Sequence, residues 1–201
     1  MPVLRIDMPL PAQAKLILET ETKEIGVPAG PQDRVIQVYE GLVYMDFRKE
    51  LMETRGYGEY ERLDPAMLPD LFMAFRTSLS EGTEVFHNNV RERWRNGDPE
   101  VMGAMETWGS YAEQGKQALL TGDYDELDRL INANFDLRTT LYKISEGNLE
   151  MIEAARGSGA SANFAGSGGA VVGAFRGEEM YRKLQQAMSG IGVAVIRPQV
   201  L

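Results

Sequence analysis

Residues 160–174 read Ala-Ser-Ala-Asn-Phe-Ala-Gly-Ser-Gly-Gly-Ala-Val-Val-Gly-Ala, small residues gathered around Ser167 that run straight into an apolar strand. At Gly166, Gly168 and Gly169 the backbone is free to take positive φ and to approach another group closely. Successive free N–H groups in such a loop bind an anion. The direction of the run limits what it can be. A dinucleotide fingerprint places its glycines after a strand, at the opening of a helix; here the glycines open a strand. A Walker loop ends in Gly-Lys-Ser or Gly-Lys-Thr, and neither follows here. A phosphate-facing loop and a tight turn are the two readings left.

The surrounding pattern sets the fold class. Residues 2–10 read as a short extended segment, and Pro11 to Ile25 as a helix that stops at Gly26. A turn-rich loop then leads to a helix-like apolar run from Val35 to Tyr39 and a strand over Leu42–Phe47. Residues 48–66 read as polar and irregular, with a short strand over Tyr57–Leu63. Leu71 to Arg76 reads as a buried strand. Three helices follow. The first spans about Thr83 to Arg95, the second opens on the cap pair Asp98-Pro99, and the third starts after Gly122-Asp123. A short helix, Asn148 to Arg156, precedes the glycine run. Val171–Phe175 is a strand, Glu178–Met188 a helix and Gly192–Arg197 a strand. Helices inserted into a small sheet predict an α+β fold with helices on one face.

Composition narrows the function classes. The 201 residues are 43% hydrophobic and 25% charged, with a net charge of -9. That balance argues against a broad grip on nucleic acid or an anionic membrane, though not against a local anion site. With no cysteine there is no disulfide or thiolate metal site, and the single His87 rules out a multi-histidine cluster within one chain. No run approaches the roughly 18 apolar residues of a spanning helix. The N-terminus lacks the order of a signal peptide, so a cytoplasmic location is expected.

Several side chains are candidates for chemistry. Asp33 follows Gly-Pro-Gln in a loop just before an apolar helix-like run; it reads as a capping carboxylate or as a base that receives a hydroxyl proton. Glu21 reads as part of a solvated helix face, or as a carboxylate converging with Asp33 on Mg²⁺. In His87-Asn-Asn-Val-Arg-Glu-Arg-Trp94, Asn88 and Arg91 share a helical face. Asn134 and Arg138 lie one turn apart in a second cluster. Arginine suits bidentate binding of carboxylate or phosphate; a surface ion-pair network is the competing reading. Trp94, Trp108 and His87 read as structural.

Taken together, these segments resemble the GHMP kinase superfamily, small-molecule kinases that include galactokinase, homoserine kinase and mevalonate kinase. The likeness is nearest to its glucuronokinase-like and heptose-kinase-like sugar kinases. Gly26 to Phe47, containing Gly-Pro-Gln-Asp-Arg, resembles the segment bearing the family's catalytic aspartate. Val90-Arg-Glu-Arg-Trp94 and Asn134-Phe-Asp-Leu-Arg138 resemble glucuronokinase segments. Phe164-Ala-Gly-Ser-Gly-Gly-Ala-Val-Val172 resembles the third GHMP motif.

The resemblance implies ATP and Mg²⁺ as cofactors and a sugar, such as glucuronate or a related sugar, phosphorylated at its anomeric hydroxyl. Asp33 would be the base, and Glu21 (or Thr22 or Glu24 beside it) the metal-binding position. Gln32, Arg91, Asn134 and Arg138 would bind substrate, and Gly166, Ser167, Gly168 and Gly169 would support the phosphoryl group. It also implies a C-terminal domain over 67–201, a ferredoxin-like sheet with inserted helices, preceded by a remnant of the N-terminal domain over 1–66. The family's phosphate-binding loop, of the Pro-x-x-x-Gly-Leu-Gly-Ser-Ser-Ala type, has no counterpart here. The expectation is therefore a kinase half completed by an upstream half in trans or by a homodimer. A non-catalytic sugar-binding or regulatory domain is the alternative. No nucleic acid or membrane partner is expected.

Overall fold

The structure, a computed structural model, describes residues 7–27, 29–76, 90–166 and 168–200. It forms two compact units, one of residues up to Ala66 with Val200, the other from Met67 to Gln199.

The smaller unit begins with α1 (Leu10–Glu19), which has Pro11 at its second position. Leu10 is thus already helical, and most of the extended segment expected over 2–10 lies outside the described residues. Thr20 and Thr22 turn their hydroxyls back onto the Leu16 and Leu18 carbonyls. Such back-bonding disturbs the α-helical ladder, and the chain widens into a π-helical segment over Thr20–Ile25. Next come α2 (Pro31–Tyr39), β1 (Leu42–Asp46), α3 (Lys49–Arg55) and β2 (Glu59–Leu63). β1 and β2 pair antiparallel from Leu42–Leu63 to Asp46–Glu59.

The helix α3 corrects the irregular reading of 48–66. Lys49 and Glu53 pair one turn apart, and the chain leaves the helix at Gly56. None of its residues is buried, so it carries no apolar stripe for a periodicity argument to find. The core of this unit is small. Ala14, Val35 and Tyr39 are buried, with Val43, Met45, Phe47 and Tyr60 packed around them. The Tyr39 and Tyr60 rings meet edge-on at 5.5 Å.

The larger unit is built on a four-stranded antiparallel sheet. Its strands are β3 (Leu71–Phe75), β4 (Asn163–Phe164), β5 (Ala170–Ala174) and β6 (Ala194–Ile196), in the order β4-β5-β3-β6. That order, with helices between β3 and β4 and between β5 and β6, is the ferredoxin-like arrangement. The α+β class expected from the sequence is the one observed.

The helices are α4 (described over residues 90–95), α5 (Pro99–Thr121), α6 (Tyr124–Leu141), α7 (Glu146–Gly157) and α8 (Gly177–Gly190). The first expected helix therefore lies largely outside the described residues. Asp98 caps α5 by accepting from the Glu100 and Val101 N–H groups, with Pro99 at the first helical position, as the sequence predicts. Alternate residues of β3, Phe72 and Ala74, are buried. They pack with Phe135 of α6, Met151 and Ile152 of α7, and Leu184 and Met188 of α8. Gly173 of β5 has no room for a side chain, because a Cβ there would lie 1.8 Å from the Ser161 carbonyl oxygen.

Candidate functional site

Two groups of candidate residues take shape, each within one unit. In the smaller unit α2 starts at Pro31, so Asp33 sits in its first turn and not in a preceding loop. Proline suits the first helical position because its missing N–H is one no helix bond needs. Gly30 holds the cap position without a side-chain cap bond, which removes the capping reading of Asp33. The aspartate lies where the helix dipole favours an anion.

Arg34 gathers the acidic groups. Its Nη1 is 3.0 Å from Asp33 Oδ2, and its Nη2 is against Glu21 Oε2. The side chain of Arg34 is only 14% exposed, against 25% for Glu21 and 64% for Asp33. Glu21, in the π-helical segment, is therefore sheltered rather than part of a solvated face. Its Oε2 touches the guanidinium as a charge but receives no well-aimed hydrogen bond, and Arg34 Nε is likewise buried without one. Gln32 is exposed and makes no side-chain hydrogen bond among the described residues.

In the larger unit the glycine segment joins β4 to β5. Ser167 lies outside the described residues; the rest is held from three sides. Arg138 Nη1 donates to the Gly166 carbonyl at 2.8 Å. The Gly169 N–H donates to Asn148 Oδ1 at 2.8 Å, and the Arg76 N–H donates to the Gly169 carbonyl at 3.1 Å. Gly168 has φ +135, and a Cβ there would lie 2.9 Å from Asn148 Nδ2. Two demands therefore fix that glycine, a backbone region hostile to side chains and the close approach of the carboxamide.

Asn148 is almost wholly buried, with Nδ2 on Ser145 Oγ at 2.9 Å. Because the Gly169 N–H is committed to it, that amide is not free for an anion. Sequence reasoning passed over Asn148, although a signal was present. Asn148, Met151, Ile152 and Ala155 form one buried stripe of α7, and an amide on an apolar stripe needs a partner.

Asn134 and Arg138 both turn toward β4 and the glycine segment. Asn134 Oδ1 accepts from Asn163 Nδ2 at 2.9 Å, and its carbonyl accepts from Trp108 Nε1 at 3.2 Å. The Arg138 guanidinium carbon lies 5.4 Å from the Phe164 ring centre and 5.9 Å from that of Tyr142. Burial pulls the pKa of Arg138 down and pushes that of Tyr142 up. The ion-pair reading does not hold for Arg138, which has no carboxylate partner among the described residues. Arg91 is exposed on α4 and shares no hydrogen bond or ion pair with the other candidates among the described residues. The structure thus brings Asn134, Arg138 and the glycines together, and separately Glu21 and Asp33.

Comparison with known proteins places the larger unit's group within a family's domain. Residues 116–190 match the model described as GHMP kinases C terminal. That span contains Asn134, Arg138, Asn148 and the glycine segment, but neither Asp33 nor Glu21. Over 160 residues, 78% of the chain, it is 45% identical to Glucuronokinase 1 of Arabidopsis thaliana, and it spans 44% of that protein's length. Among solved structures, a Lin0012 protein from Listeria innocua superposes with a TM-score of 0.80 at 17% identity, over 96% of this chain and 61% of that one. Lactococcus lactis galactokinase complexed with galactose gives 0.68 at 16% identity, over 97% of this chain and 60% of that one. The last two show the fold. Residues 116–190, from the end of α5 through α8 with the glycine segment inside them, carry the C-terminal domain of the GHMP kinases.

Proposed function

We propose that the chain forms part of an ATP- and Mg²⁺-dependent kinase that phosphorylates a hydroxyl, the anomeric one, of a sugar acid such as glucuronate. The observation that carries this reading is the 45% identity to a protein named as a glucuronokinase. In this reading residues 1–66 are the remainder of an N-terminal domain and residues 67–201 the C-terminal domain.

Asp33 accepts the proton of the sugar hydroxyl as its oxygen attacks the γ-phosphorus, while ADP leaves. Its exposure suits a group that must meet a substrate. Gln32, Arg91 and Asn134 contact the sugar, and Gly166 to Gly169, with Ser167, flank the phosphoryl group. Transfer of this kind is mostly positioning and charge stabilisation. Asn148, by holding Gly169, keeps the glycine segment in one shape.

The residues fit a divalent cation. Mg²⁺ takes one or two protein carboxylates together with phosphate oxygens; Glu21 and Asp33 are two such carboxylates, both held on Arg34, which the ion would replace as their counter-charge. Glu21 would hold the ion with help from Asp33, and the bound ion would neutralise phosphate charge. Among the described residues there is no cluster of three or more His, Cys, Asp or Glu side chains able to hold a metal ion.

The test is phosphoryl transfer from ATP to glucuronate. No Gly-Leu-Gly-Ser-Ser-Ala run occurs in the sequence, so the chain is assayed alone, where a homodimer is the available assembly, and with a co-expressed polypeptide carrying that loop. Asp33→Ala should lower kcat by roughly 10²- to 10⁴-fold; unchanged turnover would remove Asp33 from the chemistry. Glucuronate binding with no transfer in either mixture would select a non-catalytic sugar-binding role.

A further inference from the structure

The half-buried arginines of this protein follow a rule with one exception. Arg34, Arg76, Arg93, Arg156 and Arg176 are half-buried, and each carries a carboxylate partner: Glu21 with Asp33, Glu150, Asp98 with Glu100, Asp136 and Asp128 respectively. Arg138 is equally sheltered and has none among the described residues. In a chain with 30 acidic and 21 basic side chains, carboxylates are the more plentiful partner. A sheltered charge is ordinarily paired, because taking it out of water unpaired is costly.

The surroundings of Arg138 are built rather than accidental. One of its five N–H donors is spent on the Gly166 carbonyl. The Phe164 and Tyr142 rings flank the guanidinium, an arrangement that favours a cation without neutralising it. The remaining donors keep the fork geometry that matches a two-oxygen acceptor. Asp136, two residues away, is already claimed by Arg156 at 2.7 Å. Among the described residues, then, no side chain supplies the counter-ion, and the neighbouring segment's Gly169 amide is already occupied.

We infer that Arg138 is an oxyanion-binding centre whose natural counter-ion is the carboxylate of the sugar substrate, so that this one side chain selects a uronic acid over a neutral sugar. A single guanidinium balances a single negative charge, which favours a carboxylate over a doubly charged phosphate. The inference rests on the kinase reading for the identity of the sugar. Its test needs no turnover, so the two can fail separately.

The experiment is calorimetric titration of the full chain with glucuronate, glucuronate methyl ester, glucose and inorganic phosphate. The unsubstituted chain should bind glucuronate at least tenfold more tightly than the ester or glucose. Arg138→Met should weaken glucuronate binding by roughly 10- to 100-fold, the range for a charged hydrogen-bonding partner, and leave glucose within twofold. Arg138→Lys should recover only part of the loss, because a point charge does not replace the fork. Equal binding of glucuronate and its ester by the unsubstituted chain overturns the inference, whether or not Arg138→Met folds. So does no measurable glucuronate binding, or phosphate binding more tightly than glucuronate. Loss of transfer in the kinase assay with this preference intact would instead remove the kinase reading alone.

Discussion

The two units carry their charged groups on different foundations. In the smaller one, Glu21, Asp33 and Arg34 neutralise one another above a core of three buried side chains. In the larger one, Arg138 and Asn148 stand against a core of fifteen buried residues that draws on the sheet and three helices. A thin core cannot enforce a costly arrangement, so its charges compensate locally. A dense core can hold a glycine at φ +135, an amide in the dark and a cation with no carboxylate partner among the described residues. Strained or unpaired groups persist only where the surroundings over-determine them.

The sharpest way to break this comparison is to remove one aromatic from each core. Phe72→Ala should destabilise the larger unit by about 3–5 kcal/mol. Tyr39→Ala, at the edge of a core that can collapse, should cost the smaller unit about 2 kcal/mol. Denaturant titration followed by hydrogen exchange in each unit reads both; equal losses would mean that core size is not what separates them. A smaller effect is expected at Asn148. Asn148→Leu leaves the Gly169 N–H without its acceptor, which should cost about 1–3 kcal/mol. It should also speed exchange of that amide well beyond that of its strand neighbours. Unaltered exchange would show that the loop keeps its shape by other means.

The smallest effect is one of pH and touches both units. The hydrogen bond from Arg93 holds the Asp98 carboxyl below its ordinary pKa. At Asp46 burial pushes the carboxyl up, but the hydrogen bonds from Arg48 more than offset it, so it too lies low. A depressed carboxylate stabilises the fold above its unfolded pKa, about 3.9, and loses that contribution as pH falls through the lower folded value. Melting midpoints followed from pH 5 to pH 2 should fall less steeply in Asp98→Asn and Asp46→Asn than in the parent. Parallel curves would show that neither aspartate is linked to acid stability.

The sequence disclosed most where apolar pattern and capping chemistry coincide. Leu71–Phe75 is an uninterrupted apolar run and proved to be β3; Asp98-Pro99 announced α5. It disclosed least where structure is held by polar groups. The helix α3 has no buried residue, so it left no stripe to read. Pro31 looked like a turn residue, and Asp33 was placed in a loop, because proline serves both turns and first helical positions. Asp33, Asn134, Arg138 and the glycines stood out by residue type alone. What Asn134 and Arg138 touch, and that Arg138 meets no carboxylate among the described residues, depend on segments distant in sequence. Arg34 gave little local signal beyond its neighbour Asp33, since its other partner, Glu21, lies well back in the chain.

The strand order has a consequence for how the protein is made. Both neighbours of the central strand come late in the chain: Phe75 pairs with Ala170 and with Ala194. At about 5–20 residues per second of synthesis, β3 is out for roughly 5–20 s before β5 exists to pair with it. Closing so long a loop is slow, and an unpaired apolar strand recruits whatever edge is nearby. The helices α5 to α7 emerge during that wait. Their early formation, with Met151 and Ile152 available to cover Phe72, is what would shelter the nascent strand until the sheet can close.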